Sequence, residues 1–554
     1  MITSIELENV RIFEDGDWKF PLRPLTVFCG TNSSGKSTIL KTLLLLRQTQ
    51  GIDEPYSMIP GKLRFSGTQV DLGNYCSFVS HNECQREVGL AITIKDVMPS
   101  GLVELIRAAN KGEGFSDSGS IQKDKTADAH LPYSLRAFFK FKSLSNTASN
   151  LLSLAQELDE LSTSHSQSLL TYAHFQMVLE QEKPTLKQEK LLSWEVVRAE
   201  GDASQRGSYQ ILIPQKHFEA FRGFKSDAIK LDLSQMVEIE NEKFIKFEAA
   251  LRGLLPISLI AQLQVSDNKH SDHKHFIPIN LPIAIAEAYG DLQKALKQVE
   301  YLAPLRTPAE RYYIAPYDNN PAMDPAGKFL PYILRDRGKK KVKTLLPGQL
   351  GEAKGTALSV ALNSWLHYLR TGQKPELNNF YSDEIKAAIT GDVLVELKIK
   401  TVDGDESHAL ADSGFGYSQV LPILVRGLLA EKGSVLVIEQ PELHLNPALQ
   451  VRLAEFFVAM MRSGKQVLIE THSEHIVDAI RVFAAEDESG EIARNSGIFY
   501  IDAESERPHV YPMDIEPDGT MNDWPPHFFG EALSLSGRLL RAQRRFLQKS
   551  ARTK

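Results

Sequence analysis

Gly30-Thr31-Asn32-Ser33-Ser34-Gly35-Lys36-Ser37-Thr38 constrains this chain more than any other stretch. It fits G-x-x-x-x-G-K-[ST], and it stands where a phosphate loop must stand. The apolar run Leu25–Cys29 before it reads as a buried strand, and Ile39–Leu46 after it as a buried helix. Gly30 and Gly35 let the backbone curl so that the loop's N–H groups, Asn32 and Thr38 included, face a phosphate. The helix N-terminus adds partial positive charge there. Lys36 is placed to reach β- and γ-phosphates, and the Ser37 hydroxyl to hold Mg²⁺.

At 554 residues the chain is too long for one simple core, and length suggests about three or four domain-sized units. Its 42% of hydrophobic residues can bury a large core. A formal net charge of −7 excludes a whole-molecule polyanion binder, so any nucleic-acid contact needs a local patch. Cys29, Cys76 and Cys84 have neither metal-ligand spacing nor a disulfide framework, and a reducing cytoplasm is the expected compartment. Met1–Val10 alternates like a strand and lacks the basic start and apolar core of a signal peptide. No apolar stretch approaches the ~20 residues of a membrane span.

Residues 1–100 are expected to form the first part of a head domain, with Glu87–Ile94 in an antiparallel side sheet. Residues 101–300 are expected to be an inserted, mostly helical module, 301–510 the second part of the head, and 511–554 a C-terminal extension. Over Ser145–Glu180 the spacing of Leu151, Leu152, Leu154, Leu158, Leu161, Leu169, Leu170 and Tyr172 predicts a helical hairpin. Trp194–Arg198 and Ser208–Pro214 read as a β-hairpin, and Gln235–Leu251 and Ile283–Ala303 as helices.

Several polar residues have two readings. Arg11 suits the nucleotide or the surface, and Gln48 and Gln50 suit the metal or a solvated helix end. His270, Asp272, His273 and His275 cluster without the spacing of a zinc site. Arg306 and Arg311 face the nucleotide, a second head, or an acid such as Glu310. The basic run Arg335–Lys343 and the basic stretch Arg538–Lys554 suit a solvated face or a phosphate backbone. On a helix, Leu539, Leu540 and Phe546 would mark the packed side of the second stretch.

The other half of the site lies far along the chain. After the strand Val393–Lys400, Gly414 and Gly416 free the backbone, and Ser418 reads as the cap of a helix over Gln419–Leu429. Its hydroxyl and the nearby N–H groups suit a γ-phosphate. Val435–Ile438 reads as a buried strand ending in Glu439-Gln440-Pro441-Glu442, where an acid is placed for Mg²⁺ or its water. Gln466–Glu470 is a further buried strand, and His472 just after it is within reach of a γ-phosphate.

This order of motifs resembles the ATP-binding-cassette-type heads of the structural-maintenance, RecF and overcoming-lysogenisation-defect ATPases. Gly414-Phe415-Gly416-Tyr417-Ser418-Gln419 resembles their signature motif, Ile438–Leu445 their Walker B segment and following loop, and Thr471-His472-Ser473 their switch histidine. Tyr301–Tyr313 and the stretch from Asp518-Gly519 to Glu531 are similar to markers of a bacterial group with a short C-terminal domain of unknown function. Members of that group accompany antiphage systems, the Septu and retron-associated ATPases among them.

The resemblance implies an α/β fold, a P-loop head of the cassette type split between the N- and C-terminal segments. It implies ATP and Mg²⁺ as cofactors, with Gly30, Asn32, Gly35, Lys36, Ser37, Thr38, Gly416, Ser418 and Gln419 on the nucleotide and Ser37 and Glu439 on the metal. It also implies a homodimer or higher homo-oligomer closed around ATP, and a separate effector, a nuclease of HNH type. The function implied is a regulatory or sensor ATPase of an antiphage system. A DNA-repair ATPase of the RecF or structural-maintenance type, or an ATP-binding scaffold without catalysis, is the alternative.

One departure bears on the chemistry. The wider family has Asp-Glu where this chain has Glu439-Gln440. An amide orients water but cannot accept its proton, and general-base help is worth about 10²–10⁴-fold. Slow hydrolysis is therefore expected, with Gln440, Glu442 and His472 as the candidate catalytic residues.

Overall fold

Strands in which every second side chain is buried build the largest element of this computed structural model. It describes residues 1–16, 18–52, 58–111, 130–143, 168–180, 189–199, 209–215, 236–239, 242–265, 273–314, 324–371, 385–389, 394–400, 407–412, 415–503, 507–522, 525, 539–541 and 543. The chain divides into two units, one of Met1–Leu22, Ser37–Tyr301 and Gly433–Val435, the other of Arg23–Lys36, Leu302–Lys432 and Leu436–Lys554.

In the first unit the strands are β1 (Ile2–Glu8), β2 (Trp18–Pro21), β4 (Val88–Pro99), β5 (His130–Ser143), β6 (Ser168–Leu179), β7 (Glu189–Arg198), β8 (Tyr209–Pro214), β9 (Met236–Ile239), β10 (Glu242–Arg252), β11 (Leu255–Val265) and β12 (His273–Ile279); β3 (Leu25–Gly30) belongs to the other unit. They form one sheet in the order β12-β11-β10-β8-β7-β6-β5-β4-β1-β2, with β9 on β10. As expected, β4 pairs antiparallel with β1, and β7 and β8 form a hairpin in which Arg198 faces Tyr209.

The described part of 101–300 corrects the helical expectation. It is mostly strand, and its named helices are the end of α3 (Ser100–Lys111) and α4 (Ile283–Lys297). In β10, Ile245, Phe247, Ala249 and Leu251 are buried while the residues between them face outward, a period of two and not 3.6. Leu169, Leu170 and Tyr172 lie on β6, where Ala173, Phe175, Met177 and Leu179 point inward in the same alternation. Leu151, Leu152, Leu154, Leu158 and Leu161 lie outside the described residues. The helix expected over Ile283–Ala303 ends at Lys297, and β13 (Val299–Leu302) follows.

Helix α4 covers this sheet through aromatic contacts. Trp194 Nε1 donates to the Tyr289 hydroxyl at 2.7 Å, and Phe175 stacks on Trp194 with centroids 5.3 Å apart. Burying each such side chain contributes roughly 1.5–3 kcal/mol.

Two smaller readings also change in this unit, those of Gln48 with Gln50 and of the cysteines. Gln48 is buried and its amide is spent on backbone: Nε2 donates to Arg64 O at 2.5 Å and Oε1 accepts from Val70 N at 3.2 Å. Gln50 is buried as well, so neither is a solvated helix end. Arg11 takes a left-handed backbone, φ +50°, with its N–H on Phe78 O at 2.9 Å. Cys76 and Cys84 are joined in a disulfide, because left-handed His81 and Asn82 fold the chain back after α2 (Tyr75–Phe78). Of the histidine cluster, His273 and His275 lie on β12, and His270 and Asp272 lie outside the described residues.

The second unit holds β14 (Tyr313–Ile314), β15 (Lys341–Thr344), β16 (Lys354–Ala357), β17 (Ile385–Ile389), β18 (Leu394–Lys400), β19 (Ser407–Ala409), β20 (Val435–Glu439), β21 (Gln466–Glu470), β22 (Ser496–Asp502) and β23 (His509–Asp514). Its helices are α5 (Leu330–Arg337), α6 (Leu358–Thr371), α7 (Phe415–Leu429), α8 (Pro447–Arg462), α9 (Glu474–Glu486) and α10 (Glu491–Asn495). The central strands run β20-β21-β3-β22-β23, with β21 and β22 parallel to β3 and β23 antiparallel to β22. Every residue of β20 and β21 is buried, as parallel strands covered on both faces require. Val27, Ile438 and Ile469 from the strands share one core with Leu424, Phe456 and Ile480 from the helices. A smaller sheet, β14-β18-β17 with β19 on β18, and the hairpin β15-β16 complete it.

Of the basic run, Arg335 lies over the Tyr332 ring at 5.2 Å, while Lys339, Lys340, Lys341 and Lys343 are exposed. Leu539 and Leu540 are 59% and 60% exposed, so they do not mark a packed side. Among the described residues, no helix is long and apolar enough to cross a membrane.

Candidate functional site

The site is built where parallel strands end. At the end of β3, Gly30 has φ +134°, and a Cβ there would overlap the Ile501 carbonyl. Only glycine allows this close passage of loop and strand. Ser33 and Gly35 follow at φ +59° and +84°, a left-handed kind of turn that gathers N–H groups on the concave side. Thr31 fixes the loop to β22: its N–H donates to Ile501 O and its Oγ1 accepts from Ala503 N, both at 3.1 Å. Helix α1 (Lys36–Thr49) then begins, so Ser37 and Thr38 stand in its first turn.

Lys36 is 3% exposed, and its Nζ donates to Thr31 O at 2.5 Å, Ser34 Oγ at 3.2 Å and Gly30 O at 3.3 Å. Burial lowers its pKa, and the charges of Glu470 and Glu442 push it back up. The ammonium is thus held in the loop by oxygens that phosphate oxygens can replace.

At the end of β20, Glu439 is 2% exposed. Its carbonyl and that of Gln440 accept from Arg306, Nη2 at 2.9 Å and Nη1 at 3.4 Å. Arg306, itself 4% exposed, therefore holds the strand end in place. Gln440 takes φ +44°, and its N–H donates to Glu470 O at 2.7 Å, which ties this end to β21.

Glu442 ties the same ends with its side chain. Oε1 accepts from His472 N at 2.7 Å and Oε2 from Thr471 Oγ1 at 2.8 Å. Burial raises the Glu442 pKa, and these hydrogen bonds work against that rise. The network continues: Ser473 N donates to Thr471 Oγ1, Ser473 Oγ donates to Gln450 Oε1, and Gln450 Nε2 donates to Leu445 O. Ser473 also caps α9 by accepting from Ile476 N at 3.1 Å.

His472 has its pKa lowered by burial and then by the Lys36 charge, against a hydrogen bond with the Gly30 backbone. Burial thus favours its neutral ring, which sits beside the phosphate loop. Gly30 and Lys36 of the loop, Glu442 and His472 come from three separate stretches and form one neighbourhood, and Glu439 and Gln440 join it through Glu470.

The signature segment departs from expectation in one respect. Helix α7 is already formed at Phe415, so Ser418 lies inside its first turn and is not its cap. Ser418 and Gln419 are 7% and 3% exposed. Gly416 is more open: a Cβ there would make only ordinary contacts, 3.6 Å to His444 O and 3.7 Å to Leu445 Cδ2. Gly414 lies outside the described residues. Arg311 pairs at 2.7 Å with Asp412, not with Glu310.

The family model of the AAA ATPase domain matches residues 1–217 and 348–477. This chain belongs to that family. No curated protein sequence matches it. Among solved structures, the SMC head bound to the C-winged helix domain of ScpA is 10% identical, with 93% of this chain and 98% of that one covered and a TM-score of 0.34. The SMC head with an extended coiled coil bound to the C-terminal domain of ScpA, from Pyrococcus furiosus, is 10% identical over 98% and 99%, TM-score 0.31. The SMC head domain from Thermotoga maritima is 7% identical over 93% and 99%, TM-score 0.30. At those scores the likeness says nothing of this chain's partners. An AAA ATPase domain implies a nucleotide with a divalent metal. The Gly30 passage, the left-handed turn and the oxygen-held Lys36 fit that ligand.

Sequence reasoning missed Arg306 as a clamp and Thr471, Gln450 and Glu470 as supports. Arg306 acts on backbone carbonyls, which leave no trace in residue identity. Thr471 and Ser473 did carry a signal, small hydroxyl residues between a strand and a helix.

Proposed function

We propose that this chain binds Mg-ATP in the phosphate loop, closes as a homodimer around it, and hydrolyses it slowly. The observation that carries this reading is the meeting of Gly30, Lys36, Glu442 and His472 beside a strand end where Gln440 replaces the expected carboxylate. Bound Mg-ATP supplies the phosphoanhydride bond and the cation that offsets its charge. The N–H groups of Gly30, Asn32, Gly35 and Thr38 and the Lys36 ammonium would hold the phosphates. Ser37 and Glu439 would hold the metal.

His472, whose neutral form burial favours, serves as a hydrogen-bonding partner for the terminal phosphate. Glu442 is a positioning residue, since both its oxygens already brace Thr471 and His472. Water activation is left to the Gln440 amide, which orients but does not deprotonate. A long-lived ATP state suits a regulator that restrains a separate effector. The antiphage setting and a nuclease effector in the cytoplasm rest on the resemblance of the motifs.

Gly416, more open than the buried Ser418 and Gln419 beside it, marks the face offered to the second protomer. Gly416→Arg tests this, because the site has room for a Cβ but the long side chain would occupy the partner's phosphate position. Light scattering should show wild-type protein doubling in mass with Mg-ATP and the variant remaining monomeric while still binding nucleotide. Equal assembly in both would refute the closed dimer.

A further inference from the structure

Away from the phosphate loop, the second unit contains a cavity of about 740 Å³ between the Leu345–Gly351 loop and helices α6, α8, α9 and α10. Its floor is apolar: Leu346, Trp365, Val458, Phe483 and Ile492. Leu350, on the lip, is 80% exposed. The rim is acidic, with Glu455, Glu486, Asp487, Glu488 and Glu491 and a single base, Arg462.

The rim charges are not equally engaged. Arg462 is paired with Asp487 at 3.0 Å and Glu491 at 3.2 Å. Glu455 accepts from Tyr368 Oη at 2.5 Å and Gly348 N at 3.2 Å. Glu486 and Glu488 are exposed and have no ion-pair partner among the described residues. The groove thus offers an apolar trough beside surplus negative charge.

We propose that this groove is the docking site of the chain's own basic segment, residues 538–554. That segment carries Arg538, Arg541, Arg544, Arg545, Lys549, Arg552 and Lys554 and no acid. Leu539, Leu540, Phe546 and Leu547 recur among them at helical spacing. Residues 539–541 are helical, with both leucines largely uncovered. Two uncovered leucines in a basic segment match an acid-edged cavity with the exposed Leu350 on its lip.

The path of the chain supports the same occupant. Gly519 lies against α9, its carbonyl accepting from Arg481 Nε at 3.0 Å and its Cα beside Ala485. Glu486 and Asp487 follow Ala485 directly, so the chain passes the groove's helix shortly before its basic segment. Residues 522 to 538, if extended, span up to about 50 Å, ample to round the end of α9. Neither the phosphate loop nor the nucleotide enters into this docking, and it stands apart from the proposed ATP chemistry.

The full chain tests it. A carbodiimide joins the amine of Lys549 or Lys554 to the carboxyl of Glu486 or Glu488 as an amide, with loss of water, if the pairs are in contact. Mass spectrometry of the monomer-sized product should find these links at low salt and lose them at high salt. Hydrogen exchange should show residues 483–492 and 539–554 protected together. Glu486→Lys with Glu488→Lys should weaken both protections by about tenfold or more. Adding Arg545→Glu and Lys549→Glu should restore them, which a merely unfolded variant cannot do. Links confined to dimer-sized species would give the groove to a second copy and overturn docking within one chain. Links elsewhere, or protection of 539–554 appearing only with added DNA, would overturn it too.

Discussion

β21 begins beside Lys465 and ends in Glu470, and both side chains are nearly sealed from solvent, 2% and 3% exposed. At the start, the Lys465 ammonium donates to Gly427 O at 2.6 Å and touches Met460 Sδ at 3.5 Å. No carboxylate among the described residues opposes it, and burial drags its pKa to about 7. At the far end, Lys36 is also buried, yet Glu470 and Glu442 counter the drag, and three loop oxygens hold the ammonium. The contrast separates two uses of buried charge. One end sets carboxylates and loop oxygens around its lysine, whereas the other tolerates a lysine that packs as a long apolar stem.

Lys36→Ala tests the functional end and carries the largest expected effect. Saturation at ~1,000 times Kd stabilises a folded protein by about 4 kcal/mol, and the variant should lose all of it. Thermal melts with and without Mg-ATP would show this. A melting shift that survives in the variant would remove the distinction between the two ends.

Lys465→Met tests the other end. The unfolded lysine titrates near 10.5 and the folded one near 7, so between those values the unfolded state binds more protons. Wild-type stability therefore falls as pH drops from about 10.5 to 7 and is level below that. The methionine variant should be more stable by up to a few kcal/mol at pH 7, with the gain shrinking toward pH 10. Denaturant melts across that range decide it; a variant less stable at pH 7 would mean the Gly427 hydrogen bond dominates.

Gly30→Ala should act on the loop itself. Its φ of +134° and the overlap with the Ile501 carbonyl predict a destabilisation of roughly 1–3 kcal/mol, with weaker ATP binding. Unchanged stability would show that the close passage is relaxed in solution.

The same contrast explains what could be read from the sequence. The phosphate loop, the strand ending at Glu439 and the strand end before His472 were legible as elements because each is a local pattern of a few adjacent residues. The partners that hold them were not. Arg306 reaches carbonyls more than a hundred positions away, and Gln48 spends its amide on the backbone of Arg64 and Val70. Strands of the large sheet were misread where leucines at 169 and 170 and the alanines at 249 and 250 imitate helical spacing. Their real period shows only over seven or more residues, as in Ile245, Phe247, Ala249 and Leu251. The Cys76–Cys84 link depends on left-handed His81 and Asn82, a reversal that these residue types permit but do not dictate.

Single-turnover hydrolysis of Mg-ATP by the wild type, Gln440→Glu and Glu442→Gln tests the reading of the site most directly. If Gln440 holds the water-activating position and Glu442 only braces Thr471 and His472, the wild type turns over slowly. Gln440→Glu then speeds it by about tenfold or more, while Glu442→Gln does not abolish it. Fast wild-type turnover, or turnover abolished by Glu442→Gln and untouched by Gln440→Glu, would contradict this.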